Sequence, residues 1–233
     1  MQDEGHPITD EVIELSFHFL PPARQGEVDS VIRALQADPQ FEFMLTVLEI
    51  EVNGRRLSPE TPPSQALMRK LLEALDEEDG EVMLYGSPYN QLGDPARAEL
   101  NEELQRIEWW SFEVADRLCR FPELRSLRMF LEHGTGRGAG RSAQEARELH
   151  DRLLHGLVGD SQSFGIWGCT NVRGFDPPRD PAAEPEQSSC GLWPAADVSP
   201  WFHGVFWDDL LFVLNPPEST LAVLAITSNW SRI

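Results

Sequence analysis

The chain has 233 residues, of which 41% are hydrophobic and 25% charged, a composition typical of a globular protein and unlike a disordered one. Its 39 acidic residues outnumber 19 basic ones, and the resulting net charge of −20 disfavours direct binding to nucleic acid or to an anionic membrane. No apolar run approaches the roughly 18 residues that cross a bilayer, and the acidic N-terminus lacks the layout of a secretory signal. We therefore expect a cytoplasmic protein.

The first third of the chain predicts a strand, a helix and a long second strand. Apolar residues at every second position indicate a strand over 13–19, and helical spacing indicates a helix over 28–35. The next strand, 41–52, changes the phase of its apolar residues at Val47, which indicates either a bulge there or burial of both faces. Asn53-Gly54 is a strong signal for a hairpin turn.

The middle of the chain predicts three helices and two strands. One helix follows Pro62-Pro63-Ser64, and a long one runs from Asp94-Pro95 to about Cys119, with a short strand at 82–85 between them. Residues 126–132 read as a strand, and a Gly-rich loop over 134–140 then leads to the third helix. That helix begins at Ser142 and Glu145, which have the spacing of a capping box.

The last third of the chain is rich in strands. These are predicted at 164–168, 201–207, 210–214 and 221–227, and residues 174–200, with six prolines, are predicted to form a long irregular loop. The whole pattern predicts one α+β domain over 1–233, in which a mainly antiparallel mixed sheet is flanked by about four helices. Limited proteolysis is expected to cut first within the Pro-rich loop.

The Gly-rich loop partly matches a dinucleotide fingerprint. Residues 134–139 satisfy G-x-G-x-x-A, but the capping box starts the helix three residues too late for that motif, and Arg141 replaces the lysine of a P-loop. A flexible loop without a bound dinucleotide is the expectation, so no cofactor is predicted. Arg137 and Arg141 are candidate anion-binding residues beside the start of the helix.

Metal-binding and catalytic patterns are weak. His150 and His155 are five residues apart and do not share a helix face, and His203 with Asp208 and Asp209 reads equally well as a strand end and a turn. No nucleophile motif is present, and Cys119, Cys169 and Cys190 match neither a disulfide framework nor a metal site. Neither a metal nor a catalytic residue is predicted, and enzymatic activity is the less favoured reading.

The function class favoured by the sequence is a binding one. The first 120 residues carry 25 acidic against 10 basic residues, and Trp109 lies opposite the apolar stripe of the long helix. Such a tryptophan is either covered by a second layer or anchors a partner. We expect an immunity-type or inhibitor-type protein that neutralises a basic toxin or nuclease; the alternative is an enzyme or a nucleotide- or sugar-binding protein using the Gly-rich loop and the Trp-rich C-terminal sheet. The predicted partner-binding residues are Glu77, Glu78, Asp79, Glu81, Glu102, Trp109 and Glu113.

Overall fold

The computed structural model describes residues 14–36, 41–77, 118–121, 123–124, 127–128, 131–132, 140–170 and 208–228. In chain order the elements are β1 (Leu15–Phe19), α1 (Gln25–Gln36), β2 (Phe41–Val52), β3 (Arg55–Arg56), α2 (Gln65–Glu77), β4 (Cys119–Phe121), α3 (Ala143–Val158), β5 (Gly165–Thr170), β6 (Asp208–Asn215), a 3-10 helix (Pro216–Glu218) and β7 (Thr220–Ser228). The predicted α+β class is confirmed. The described ranges contain three α-helices with defined first and last residues, where the sequence predicts about four.

The seven strands in the described part of the chain belong to one sheet, in the order β1-β2-β7-β6-β5-β4, with β3 pairing to β2. Each described pairing is antiparallel. The neighbouring strands β2 and β7 come from opposite ends of the sequence, and their register runs from Phe41↔Ser228 to Glu49↔Thr220. The sheet therefore joins the two ends of the chain through its longest described ladder.

The phase change in β2 is explained by burial on both faces. Its pairing with β7 is uninterrupted from Phe41 to Glu49, so no bulge occurs there. Leu45 and Val47 enter one apolar core, while Leu48 and Ile50 enter another on the opposite face. Alternate side chains of a strand point to opposite faces, and a strand covered on both sides is apolar at odd and even positions alike.

Helices cover the sheet on both faces. One core joins the buried residues of α2 to the sheet face that carries Leu48, Trp167 and Phe212. The other joins those of α1 and α3 to the face that carries Leu45, Leu211 and Leu224. The arrangement is a three-layer sandwich, in which α1 and α3 pack side by side and α2 lies alone among the described helices on its face.

Two predictions about the middle of the chain were wrong. Residues 127–128 and 131–132 are helical, not part of a strand, and the Arg128 N–H donates to the Leu124 carbonyl at 3.0 Å. Leu124, Leu127 and Leu131 are all buried in the core beneath α1 and α3. Cys119, expected to end a helix, instead begins β4. Most of that helix and the strands predicted at 82–85 and 201–207 lie outside the described residues.

The turn and cap signals were correct. Asn53 and Gly54 adopt φ values of 52° and 68°, the left-handed conformation of a tight hairpin turn between β2 and β3. Ser142 and Glu145 form the expected capping box. Hydrogen bonds from the Ser142 hydroxyl and backbone N–H hold the pKa of Glu145 below its usual value. Of the described helices, none is both long and apolar enough to traverse a bilayer.

Candidate functional site

The predicted partner-binding surface falls almost wholly outside the described residues. Glu77 is the last residue of α2, and the other six residues of the set lie in the range 78–117, of which nothing is described. Whether Trp109 is covered or open to a partner therefore stays a prediction.

Arg141 has a role within the fold. Its guanidinium donates to the Ala34 carbonyl in the last turn of α1, and its own backbone N–H donates to the Leu131 carbonyl at 3.0 Å. A positive charge at a helix C-terminus is favourable because unpaired carbonyls gather there. Arg141 thus connects the last turn of α1 to the start of α3, and its anion binding stays a prediction. Arg137 lies outside the described residues.

The two histidines of α3 point in different directions, as their spacing predicts. His150 is buried, and its Nε2 accepts a hydrogen bond from the Leu124 N–H at 3.0 Å, while its Nδ1 lies 2.8 Å from Asp151 Oδ1. Because a backbone N–H can only donate, Nε2 must be the unprotonated nitrogen, and Nδ1 donates to the carboxylate. His150 thereby holds the segment at Leu124 against α3.

His155 faces the start of α1, where it joins an ionic group that we call the His155 cluster: Arg24, Glu27, His155 and Asp160. Its Nδ1 lies 2.8 Å from Glu27 Oε2, and its Nε2 lies 3.5 Å from Asp160 Oδ1. The Arg24 guanidinium donates to the other oxygen of Asp160 at 2.8 Å. The hydrogen bond with Glu27, and next the one with Asp160, raise the pKa of His155 above its ordinary value.

Backbone contacts between α1 and α3 lie beside the His155 cluster. The Arg24 N–H donates to the Gly156 carbonyl at 3.0 Å, which ties the turn before α1 to the end of α3. A Cβ placed on Gly156 would lie 2.6 Å from Val28 Cγ2 and 3.3 Å from the Val28 nitrogen. Only a glycine lets the two helices approach this closely, and the close approach brings His155 within reach of Glu27.

Ser219 is a buried polar residue of the described core that is held by both its side chain and its backbone. It is 1% exposed and has φ 55°, and its Oγ accepts from the Leu57 N–H at 2.7 Å and donates to the Ile50 carbonyl at 2.5 Å. Its backbone also bonds to Ile50 and to Pro216. The buried hydroxyl thus accepts one hydrogen bond and donates another, and it links the β6–β7 turn to β2 and to Leu57. Because its proton is used in the bond to Ile50, the hydroxyl has a structural role and not that of a nucleophile.

Trp167 occupies the core between β5 and α2. It is fully buried, and a Cβ on Gly165 would lie 2.3 Å from the indole Cη2, so the ring covers the glycine two residues before it. The Arg120 guanidinium, on the neighbouring strand, lies 5.5 Å from the centre of the ring. The contact is a cation–π interaction, but the complete burial of the indole leaves no open face for a ligand.

The aspartates considered as metal ligands lie at the start of β6. Asp209 is fully buried, opposite Thr170 on β5 and Ile226 on β7. Among the described residues, no three histidine, cysteine or acidic side chains gather in a way that would hold a metal ion. His203, the third member of the considered set, lies outside them.

Comparison with known proteins identifies no relative: no family model, no curated protein and no solved structure matches the chain. The physical chemistry of its own residues is accordingly the basis for any functional conclusion.

The His155 cluster was missed by sequence reasoning because its members are far apart. Glu27 and His155 are separated by 128 positions, and nothing local to either residue indicates the other. The nearest signal was the five-residue spacing of His150 and His155, which correctly separates their directions but does not say what each side chain meets.

Proposed function

We propose that this protein is a cytoplasmic, acidic binding module of the immunity or inhibitor type, which neutralises a basic partner such as a toxin or nuclease. The observation that carries the proposal is the charge distribution: residues 1–120 hold a net charge of −15, and residues 121–233 only −5. A field concentrated in one half of the sequence accelerates encounter with a cationic protein and orients it.

The uses of the polar side chains in the described core agree with a binding role. The His150 ring, the Ser219 hydroxyl and the Arg141 guanidinium each bond to backbone groups of the protein itself. These hydrogen bonds stabilise the fold. Glu78, Asp79 and Glu81, in contrast, follow in the sequence just after α2, which is anchored to the core by Leu71 and Leu75.

Reversing Glu78 and Asp79 to lysine should slow association with the partner about tenfold at low salt, because peripheral charges act mainly on the encounter rate. The immobilised protein first captures its partner from a lysate of the source cells. The captured protein is purified, and its association rate is then measured at low and high salt. The dissociation rate should change much less.

The matched control reverses Glu148 and Glu218, which are exposed and lie in the less acidic half of the chain. Both double variants change the net charge equally, so only the position of the charges differs. Equal slowing by both would refute a localised contact surface. A captured partner that is acidic, or whose activity persists when this protein is added in excess, would contradict the proposed function.

Trp109→Ala should weaken binding to the same partner by on the order of 2 kcal/mol, since a central aromatic commonly supplies much of the affinity of an interface. The measurement pairs a binding titration with a thermal melting curve. Lost affinity with an unchanged melting temperature is the expected result. A lowered melting temperature with unchanged affinity would mean that Trp109 is covered by a second layer of the fold.

A further inference from the structure

The geometry of the His155 cluster places a carboxylate oxygen opposite each of the two nitrogens of one imidazole ring. Glu27 Oε2 lies 2.8 Å from Nδ1 and Asp160 Oδ1 lies 3.5 Å from Nε2, and a carboxylate oxygen only accepts. A neutral imidazole carries one N–H and can serve only one of these oxygens, leaving a lone pair towards the other. The imidazolium serves both at once.

We propose that the His155 cluster is a proton-dependent clasp, which fastens the start of α1 to the end of α3 and loosens when His155 loses its second proton. The cluster joins two stretches of chain: Arg24 and Glu27 lie at the start of α1, and His155 and Asp160 lie at the end of α3 and in the turn after it. Loss of the second proton removes the attraction between the imidazolium and the Glu27 carboxylate, which connects the two helices, and leaves one N–H on the ring.

The charges around the ring favour this response. With an imidazolium, the charges of Glu27 and Asp160 are balanced by those of His155 and Arg24; with a neutral ring, one negative charge remains in a protein of net charge −20. Arg24 opposes protonation of His155, but it is bonded to Asp160. On α3 itself, one turn earlier, Asp151 is bonded to His150 and Arg152 reaches Ser30 on α1 at 3.5 Å.

The direction of the pH dependence follows from the raised pKa of His155. Its contribution to stability is complete below the ordinary histidine value of about 6.5 and is lost as the pH rises through the higher value of the folded protein. The clasp is thus closed in mildly acidic solution and opens as the pH rises through the raised pKa of His155.

The test measures amide hydrogen exchange of Arg24, whose N–H bonds to Gly156 directly beneath the cluster. Its protection factor should fall between pH 6 and pH 8.5 on the order of threefold, the range of exposed ion pairs, while amides in the centre of β7 change little. High salt should reduce the effect, because the groups are partly exposed. Equal protection of Arg24 at both pH values would overturn the proposal.

Two variants separate the clasp from general effects of pH. His155→Gln should abolish the pH dependence and leave protection low throughout, because an amide cannot gain a second donor nitrogen by protonation. Asp160→Asn, at an exposed position, should reduce the dependence. His18→Gln, on the edge strand β1, is the control and should retain the full dependence. Persistence of the full pH response in His155→Gln would also overturn the proposal.

Discussion

Gly165→Ala is expected to lower the free energy of unfolding by about 3 kcal/mol, the upper range for overpacking a rigid core. The added methyl would lie 2.3 Å from Trp167 Cη2, 2.4 Å from Cζ3 and 3.2 Å from Pro63 Cβ. The indole is completely buried, so it cannot turn away without displacing its neighbours. In an open strand the same substitution would stabilise slightly, because glycine loses more backbone entropy on folding. The close contact with the indole therefore makes the substitution destabilising rather than slightly stabilising.

Denaturant unfolding of a small set of variants checks this explanation. Gly26→Ala, in the first turn of α1 with no atom within 4 Å of the added Cβ, should leave stability unchanged or raise it by up to about 1 kcal/mol. In a Trp167→Leu background the additional cost of Gly165→Ala should fall below about 1 kcal/mol, since neighbouring substitutions couple. An identical cost in both backgrounds would show that the indole is not the cause.

Ser219→Ala is expected to destabilise the protein by about 2 kcal/mol, because it leaves the buried Leu57 N–H without its acceptor and removes the bond to the Ile50 carbonyl. Ser219→Gly loses the same two hydrogen bonds but relieves the left-handed backbone at φ 55°. It should therefore be less harmful than alanine by about 0.5–1 kcal/mol.

The expected order of stability is wild type, then glycine, then alanine at position 219, as measured by urea unfolding. Ser58→Ala is the matched control, because its hydroxyl accepts an exposed bond from the Glu60 N–H at 3.3 Å, and its loss should change stability by less than about 0.5 kcal/mol. Alanine at least as stable as glycine at position 219 would mean that the left-handed conformation carries no cost there.

The proposals differ in how far the sequence alone supports them. The excess of acidic residues in the first 120 positions is a property of composition and needs no coordinates. The His155 cluster is invisible in the sequence, because its partners are on different helices and meet only when α1 lies along α3. Likewise, the pair Arg141 and Ala34 unites positions 107 apart, so a candidate anion-binding arginine proved to have a structural partner.

Local signals in the sequence predicted most of the described elements. The Asn53-Gly54 turn and the Ser142–Glu145 capping box both lie where their residues predict them, because each depends on backbone geometry and hydrogen bonds within a few positions. The alternation of β1 and the helical spacing of α1 are local in the same sense. Such interactions need no information about distant parts of the chain.

The tertiary structure decided whatever depends on what lies opposite a residue. The spacing of Leu127 and Leu131 fits a short strand and a helix equally well. In the structure both residues are helical, and both are buried beneath α1 and α3. The phase change at Val47 allowed a bulge or two buried faces, and the helices on both sides of the sheet settled it. The sequence determined local geometry and overall charge, whereas the partners of Val47, Trp167 and His155 were set by long-range packing, because burial depends on residues that are distant along the chain.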